Sequence, residues 1–180
     1  MKTNQRILMV LGFVSAMLYR FIPFRPPNVE PLMSVMMPFS KKAGKLELFG
    51  FAFLSILVYD FFTAGIGTYT LTAGICYGIL GIWSSVYFKK RSFSLKNYVM
   101  CSVIGIIFFD VVTGVILGPL IGGSSFYIAL MGQIPFTALH LMGGTLFAIT
   151  VSPFVSKILA KSEVDVFQLD NSLQEVKVRV

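Results

Sequence analysis

Long uncharged apolar windows, separated by short clusters of basic residues, constrain this chain more than any other feature. A helix that crosses the hydrocarbon core of a bilayer needs about 20 mostly apolar residues. Six windows approach this description, at residues 7–24, 29–40, 46–64, 69–88, 97–117 and 126–158. The composition agrees, because 56% of the 180 residues are apolar and only 13% are charged, against about 25% charged in soluble domains. The sequence therefore predicts an all-α integral membrane bundle of six transmembrane helices.

Two parts of this pattern are irregular. The second window is short and follows Arg25-Pro26-Pro27-Asn28, so we expect a partial or tilted pass there. The stretch 111–156 contains no Asp, Glu, Lys or Arg and is too long for one span. Gly122-Gly123-Ser124-Ser125 is the expected turn within it, because Gly and Ser clusters between apolar runs are typical of loops.

The basic residues are distributed asymmetrically. With a cytoplasmic N-terminus, only Arg20 and Arg25 fall in outer segments. Basic residues resist translocation and so orient the helices during insertion. We therefore expect both termini in the cytoplasm, in a multi-pass protein of a prokaryotic cytoplasmic (inner) membrane. The excess of 15 Lys and Arg over 8 Asp and Glu is then a topology signal, so membrane lipid and no nucleic acid is expected as a partner.

These expectations give one membrane domain over residues 1–160 and a short cytoplasmic tail over residues 161–180. One alternative concerns the first window. Lys2 and Arg6 precede an apolar run that ends in Val14-Ser15-Ala16, a pattern that also occurs before signal-peptide cleavage sites. Cleavage there would leave five passes and an outer N-terminus.

An internal repeat links the third and fifth windows. Tyr59-Asp60-Phe61-Phe62-Thr63-Ala64 is similar to Phe109-Asp110-Val111-Val112-Thr113-Gly114. Each reads aromatic, Asp, two apolar residues, Thr and a small residue. The match favours a parallel duplication that relates passes three and four to passes five and six.

Four ionisable side chains share one expected depth, the outer third of the membrane, and they are Arg20, Asp60, Asp110 and His140. Charged groups inside a bilayer cost about 2.5 to 3.5 kcal/mol each at the helix centre unless they pair or face water. Taken singly, each has a structural explanation, such as snorkelling, capping of a turn or a bond to a neighbouring helix. Together they predict a polar cavity that opens to the outside.

Further polar residues fall in the same region, and Pro135 is expected to break or kink the last helix beside them. The predicted substrate-binding residues are Asp60, Asp110, Arg20, His140, Tyr69, Asn28, Glu30, Gln133, Thr63 and Thr113. Charges of both signs favour a small zwitterionic or polar heteroaromatic ligand, on whose ring Tyr69 can stack.

Signatures of catalysis and of cofactors are missing from the sequence. One histidine excludes a His-rich metal site, and the distant Cys76 and Cys101 exclude a thiolate cage and predict buried structural thiols. The sequence has no phosphate-binding glycine loop with its Lys. We expect no enzyme, no metal and no cofactor.

The architecture resembles the substrate-binding membrane subunits, or S components, of energy-coupling-factor (ECF) vitamin transporters. The most specific part is the first outer loop, Arg20-Phe21-Ile22-Pro23-Phe24-Arg25-Pro26-Pro27-Asn28-Val29-Glu30-Pro31-Leu32. It resembles an S-component-like group of unassigned substrate, in which an Arg, then Pro-Pro-Asn, then Pro-Leu lead into the second helix. An Asp and a Gly-containing turn close the third helix of that group, as Asp60 and Gly65 do here.

The resemblance covers residues 7–160 and implies a six-helix subunit that binds a small micronutrient on its outer side. It also implies docking onto a transmembrane coupling subunit that two ATPase subunits drive. Small residues spaced by four in the first helix serve that docking in the family, and this chain offers Gly12 and Ala16. Intramolecular packing is the alternative role for the two residues.

Two other classes of protein remain possible from the sequence. The first is a stand-alone secondary transporter coupled to protons or ions, with Asp60, Asp110 and His140 as a proton relay. The second is an integral membrane enzyme, which is disfavoured because the acid and base groups lack a nucleophile or a metal motif.

Overall fold

The computed structural model describes the backbone of residues 1–26 and 28–178, and the side chains of the same residues up to 162. The regular elements in this part of the chain are all helices. They are α1 (Thr3–Arg20), α2 (Leu32–Met36), α3 (Lys45–Phe62), α4 (Thr68–Phe88), α5 (Leu95–Asp110), α6 (Gly118–Gly122) and α7 (Phe126–Val178). A 3-10 turn, Met37–Phe39, extends α2, and a π-helical segment, Val111–Leu117, joins α5 to α6. The predicted all-α class is confirmed.

Within the described part of the chain, three helical stretches are long and apolar enough to cross a membrane, and they are Thr68–Phe88, Leu95–Gly122 and Phe126–Ser162. The chain is accordingly a membrane protein. α1 and α3 have 18 residues each, but both are more polar. α1 begins with Thr3-Asn4-Gln5-Arg6, and α3 contains Lys45, Glu47 and Asp60.

α2 and its 3-10 turn fill the middle of the bundle. Every residue from Pro31 to Ser40 is buried. The Ser152 hydroxyl donates to the Ser34 carbonyl at 2.9 Å, and the Ser40 hydroxyl donates to the Ser84 hydroxyl at 2.9 Å. The two helical elements rise about 14 Å together, which is half of a hydrocarbon core of about 30 Å. A segment of this length could cross only part of a bilayer, and the expected partial or tilted pass over residues 29–40 stays a prediction.

α1 and α3 run side by side in the same direction. Near their starts, Arg6 pairs with Glu47 at 3.2 Å, and Phe13 packs edge-on against Phe51. Further along, Arg20 at the end of α1 donates to the carbonyl of Ser55 at 3.0 Å. The chain between them must therefore return across the bundle, which it does through the loop at 21–31 and α2.

Close glycine contacts pack α4 antiparallel to α3. A Cβ atom at Gly78 would lie 2.4 Å from the Phe49 ring, and one at Gly81 would lie 2.3 Å from the Leu48 carbonyl oxygen. The later glycine of α4 contacts the earlier residue of α3, so the two helices are antiparallel. Only glycine permits this approach of two backbones.

α5 and α7 form a second antiparallel pair. Tyr98 near the start of α5 hydrogen bonds to Ser156, and Asp110 at its end pairs with His140.

The predicted turn at residues 122–125 is confirmed, since Gly123 has a φ of 70° after α6. The prediction was a break or a kink at Pro135, and the helix does not break there, because α7 continues through it. Within the expected tail at 161–180, this helix continues to Val178, and the last two residues lie outside the described part of the chain.

The contacts define two ends of the bundle. The starts of α1, α3 and α5 and the finish of α4 lie together, at what we call the basic end because Arg6, Lys45, Lys89 and Lys96 lie there. The opposite end, where α1 and α3 finish, is called the distal end. Both arms of the predicted repeat point to the distal end, but Asp60 ends a helix whereas Asp110 leads into the π-helical segment.

The structure corrects the predicted docking stripe at Gly12 and Ala16. Ala16 is 1% exposed, and a Cβ atom at Gly12 would lie 2.7 Å from a methyl group of Val35 in α2. Both residues therefore pack within the chain, which was the alternative role.

As predicted, Cys76 and Cys101 are free and buried.

We predict that Gly81→Ala destabilises the fold by about 1 to 3 kcal/mol, because the new methyl group meets α3 backbone that cannot yield. Thermal unfolding in a mild detergent measures the effect. Gly132→Ala in α7 is the matched control, since nothing lies within 4 Å of its Cβ position. An equal loss of stability in both variants would contradict the tight packing of α3 against α4.

Candidate functional site at the distal end

A buried ion pair joins the end of α1 to Glu30, two residues before α2. The Arg20 Nε atom lies 3.1 Å from Glu30 Oε2, and the two side chains are 8% and 9% exposed. The Arg20 guanidinium also donates to the Ser55 carbonyl and lies 4.1 Å above the centre of the Tyr59 ring. Tyr77 donates to the other Glu30 oxygen at 2.8 Å. The pair thus has partners from α3 and α4, and its charges neutralise each other.

A second buried pair lies between α5 and α7. Asp110 Oδ1 is 2.9 Å from His140 Nδ1, and the side chains are 1% and 7% exposed. The other Asp110 oxygen is buried and has no hydrogen-bond partner among the described residues. The π-helical segment starts directly after Asp110, and such segments are often found at functional sites.

Aromatic contacts connect the two pairs. The Tyr77 ring packs edge-on against Phe109 with centroids 4.9 Å apart, and Phe109 packs edge-on against His140 at 6.2 Å. Arg20, Glu30, Asp110 and His140 therefore belong to one polar layer across the bundle. In the structure these side chains form two separate buried pairs. The sequence predicted instead a single open pocket around Arg20, His140 and the two aspartates.

Asp60 stands apart from both pairs. Its backbone carbonyl accepts from the amides of Thr63 and Gly65 and so ends α3. Its half-buried carboxylate makes no hydrogen bond or ion pair with the described residues. The phenol of Tyr69 lies beside Thr113 and within electrostatic range of Asp60 and Asp110.

The remaining predicted residues divide between helix packing and the loop. Gln133 donates to Thr137 within α7, and its side chain occupies the space beside Gly114. Thr113 donates to the Phe109 carbonyl, and Thr63 likewise donates to the Tyr59 carbonyl. Gln133 and Thr113 therefore pack between α7 and the π-helical segment.

A cavity of about 460 Å³ opens at the distal end, between the loop after α1 and the finish of α3. Three predicted residues, Arg20, Asn28 and Thr63, line it. The complete lining is Arg20, Phe21, Ile22, Pro23, Phe24, Arg25, Asn28, Tyr59 and Thr63. The sequence did not indicate Arg25 and Tyr59 as site residues. A signal for Arg25 was present, because it is one of only two basic residues expected in the outer segments.

The loop that covers this cavity has an unusual backbone. Phe24 and Asn28 have φ angles of 66° and 61°. Asn tolerates this left-handed region, but a bulky aromatic residue rarely adopts it. Strained residues of this kind are concentrated at ligand clamps and switch regions. A bond from Arg25 Nε to the Arg20 carbonyl at 3.0 Å holds the loop over the helix end.

The site offers hydrogen-bonding and aromatic groups. Among the described residues, no three His, Cys, Asp or Glu side chains are grouped as a metal site requires. No family model, curated protein or solved structure matches the chain. The candidate site therefore rests on its own geometry.

We predict that Glu30→Leu destabilises the protein by about 3 to 5 kcal/mol, because it leaves the Arg20 guanidinium buried without its counter-charge. The double variant Arg20→Met with Glu30→Leu should recover most of that loss, since it removes both charges. Thermal unfolding of the two single variants and the double variant tests this. Additive losses in the double variant would show that the pair is not coupled.

Proposed function

We propose that the chain is a membrane-embedded substrate-binding subunit for uptake of a small vitamin-like micronutrient. The distal cavity carries this proposal. Its volume of about 460 Å³ lies within the range of about 300 to 1,000 Å³ that is usual for small-molecule pockets. It combines aromatic rings with two guanidinium groups, an amide and hydroxyls, and it lies at the end of the bundle opposite the basic loops.

The proposal includes a topology of six passes, with both termini in the cytoplasm of a prokaryotic cell and the distal end outside. Five long helices and the partial pass through α2 would provide the six crossings. The parallel course of α1 and α3 supports this count, because the chain has to return between them. The basic end is then the cytoplasmic end, as the positive-inside rule requires.

We expect single cysteines at the distal turns to be labelled from outside by an impermeant reagent. In a background that lacks Cys76 and Cys101, replacements of Gly67 and Gly123 should react in intact cells. Replacements of Ala43 and Ser92 should react only after the membrane is opened. Labelling at position 43 in intact cells would refute the topology.

Uptake driven by ATP would need a partner, because the sequence has no nucleotide-binding glycine loop. We therefore include docking onto a transmembrane coupling subunit with two ATPase subunits, as in ECF transporters. The exposed apolar side of α1 is available to lipid or to such a partner, and it includes Val10, Leu11, Val14 and Leu18. It replaces Gly12 and Ala16 as the candidate docking side of this helix.

The decisive experiment is mass spectrometry of small molecules that the gently purified protein retains. Thr63→Phe should abolish retention, because the phenyl ring of the new side chain would occupy the distal cavity. Thr150→Phe is the matched control, since both threonines are exposed and each donates to the carbonyl four residues earlier in its helix. Equal retention by both variants would contradict a site in this cavity. ATPase subunits that co-purify would support the coupling partner.

A stand-alone proton-coupled secondary transporter is the second candidate, and the Asp110–His140 pair favours it. Buried ionisable residues within membrane helices often serve in proton relays. In liposomes that contain only this chain, such a transporter would accumulate the retained molecule when an inward proton gradient is imposed. Asp110→Asn would abolish that uptake. A substrate-binding subunit would bind the molecule but would not accumulate it alone.

A further inference from the structure

The two guanidinium groups in the distal cavity differ in electrostatic state. Glu30 neutralises Arg20 at 3.1 Å. Arg25 has no carboxylate within ion-pair distance among the described residues. Its Nε atom donates to the Arg20 carbonyl, and Nη2 lies 3.5 Å from the Tyr59 hydroxyl. The cavity therefore carries one uncompensated positive charge, on Arg25.

Three donor atoms in the same lining are buried without a hydrogen-bond acceptor among the described residues, and they are Arg20 Nε, Arg25 Nη1 and Asn28 Nδ2. Arg20 Nε is compensated by its ion pair with Glu30, whereas the other two have no such partner. A buried donor without a partner costs about 1 to 3 kcal/mol, and more when it is charged. The left-handed φ angles of Phe24 and Asn28 on either side of Arg25 show that this cost occurs in a loop that is already strained. A ligand with acceptor oxygens would remove the cost.

We propose that the distal cavity binds the oxyanion group, a carboxylate or a phosphate, of its ligand, and that Arg25 and Asn28 hold it. This inference rests on the proposed function, because it names the chemical class of the solute that the cavity takes. A guanidinium offers N–H donors in a planar fork that matches a carboxylate or a phosphate. A charged acceptor also forms stronger hydrogen bonds than a neutral one.

The surrounding residues suit the rest of such a ligand. The Tyr59 ring is already covered on one side by Arg20. Phe24 is fully exposed at the mouth of the cavity, where it can cover an apolar or aromatic portion of the solute. The neutral Arg20–Glu30 pair contributes no net charge at the base of the cavity. The site therefore distinguishes anions from cations through Arg25.

The test uses the full chain in a non-ionic detergent and follows thermal unfolding. The probes are pyridine-3-carboxylate, its neutral amide, and inorganic phosphate. Binding to the folded state raises the unfolding temperature with ligand concentration. We expect the carboxylate or phosphate to stabilise the protein and the amide to have no effect. Equal responses to the acid and the amide, or no response either to the soluble anions or to the anionic lipid tested below, would overturn the inference.

Variants assign the effect to the two residues. Arg25→Gln should weaken anion binding about 10-fold to 100-fold, in line with the loss of a hydrogen bond to a charged group. Arg25→Lys should retain part of the affinity, and Asn28→Ala should lose several-fold. Lys90→Gln, at the exposed basic end, removes the same charge and should change nothing. Folded Arg25→Lys and Asn28→Ala proteins that bind anions as the wild type does would overturn the assignment, even if Arg25→Gln fails to fold.

A lipid headgroup carries the same oxyanion chemistry, so phosphatidylglycerol is titrated into the micelles as a separate arm. Stabilisation by the lipid that depends on Arg25, without a response to the soluble anions, would support the oxyanion site but take this cavity away from the proposed uptake function. Conversely, retention of an uncharged molecule that Thr63→Phe abolishes, with no response to anions, would support uptake and overturn the anion inference.

Discussion

The buried ion pair between Arg20 and Glu30 is the interaction on which the arrangement of the bundle depends. It ties the last residue of α1 to the residue two positions before α2, and its partners on Ser55 and Tyr77 belong to α3 and α4. One pair thus fixes the relative positions of four segments. Buried pairs are weak contributors to net stability, and their best-attested role is to select one arrangement over others. Here the selected arrangement brings the loop at 21–31 down onto the helices, so that α2 enters the middle of the bundle.

The two halves of the bundle are held together by different means. Contacts between helix backbones at glycines, as at Gly78 and Gly81, hold α3 and α4 together. The polar layer at the distal side connects that pair of helices to α5 and α7, through Tyr77, Phe109 and His140. A rigid helical frame of this kind can position a strained loop with some accuracy, which is how binding residues on loops usually gain their specificity.

Periodic and compositional signals predicted the helices well, because membrane helices require long apolar runs whatever their neighbours are. The same signals located the turn at Gly123 and the short helical segment before Lys41. They failed where the partner of a side chain decides its role. Asp60 and Asp110 look equivalent in sequence, yet only Asp110 meets His140, since that meeting depends on how α7 packs against α5. Gly12 and Ala16 show the same limit, because a spacing of four places them on one face but does not indicate what covers that face.

The depth of α2 has a consequence for the thickness of the permeability barrier. In the proposed topology, a solute at the level of Glu30 would have passed about half of the hydrocarbon layer, and about 14 Å of helix would separate it from the basic end. The core of that separating wall is rich in methionine, with Met33, Met36 and Met37 all buried. Methionine side chains are unbranched and adapt to changes in their surroundings at low cost. In that topology, only this short and deformable segment would separate the cavity from the basic end. A small displacement of α2 would then change the barrier to a solute more than the same displacement of any long helix.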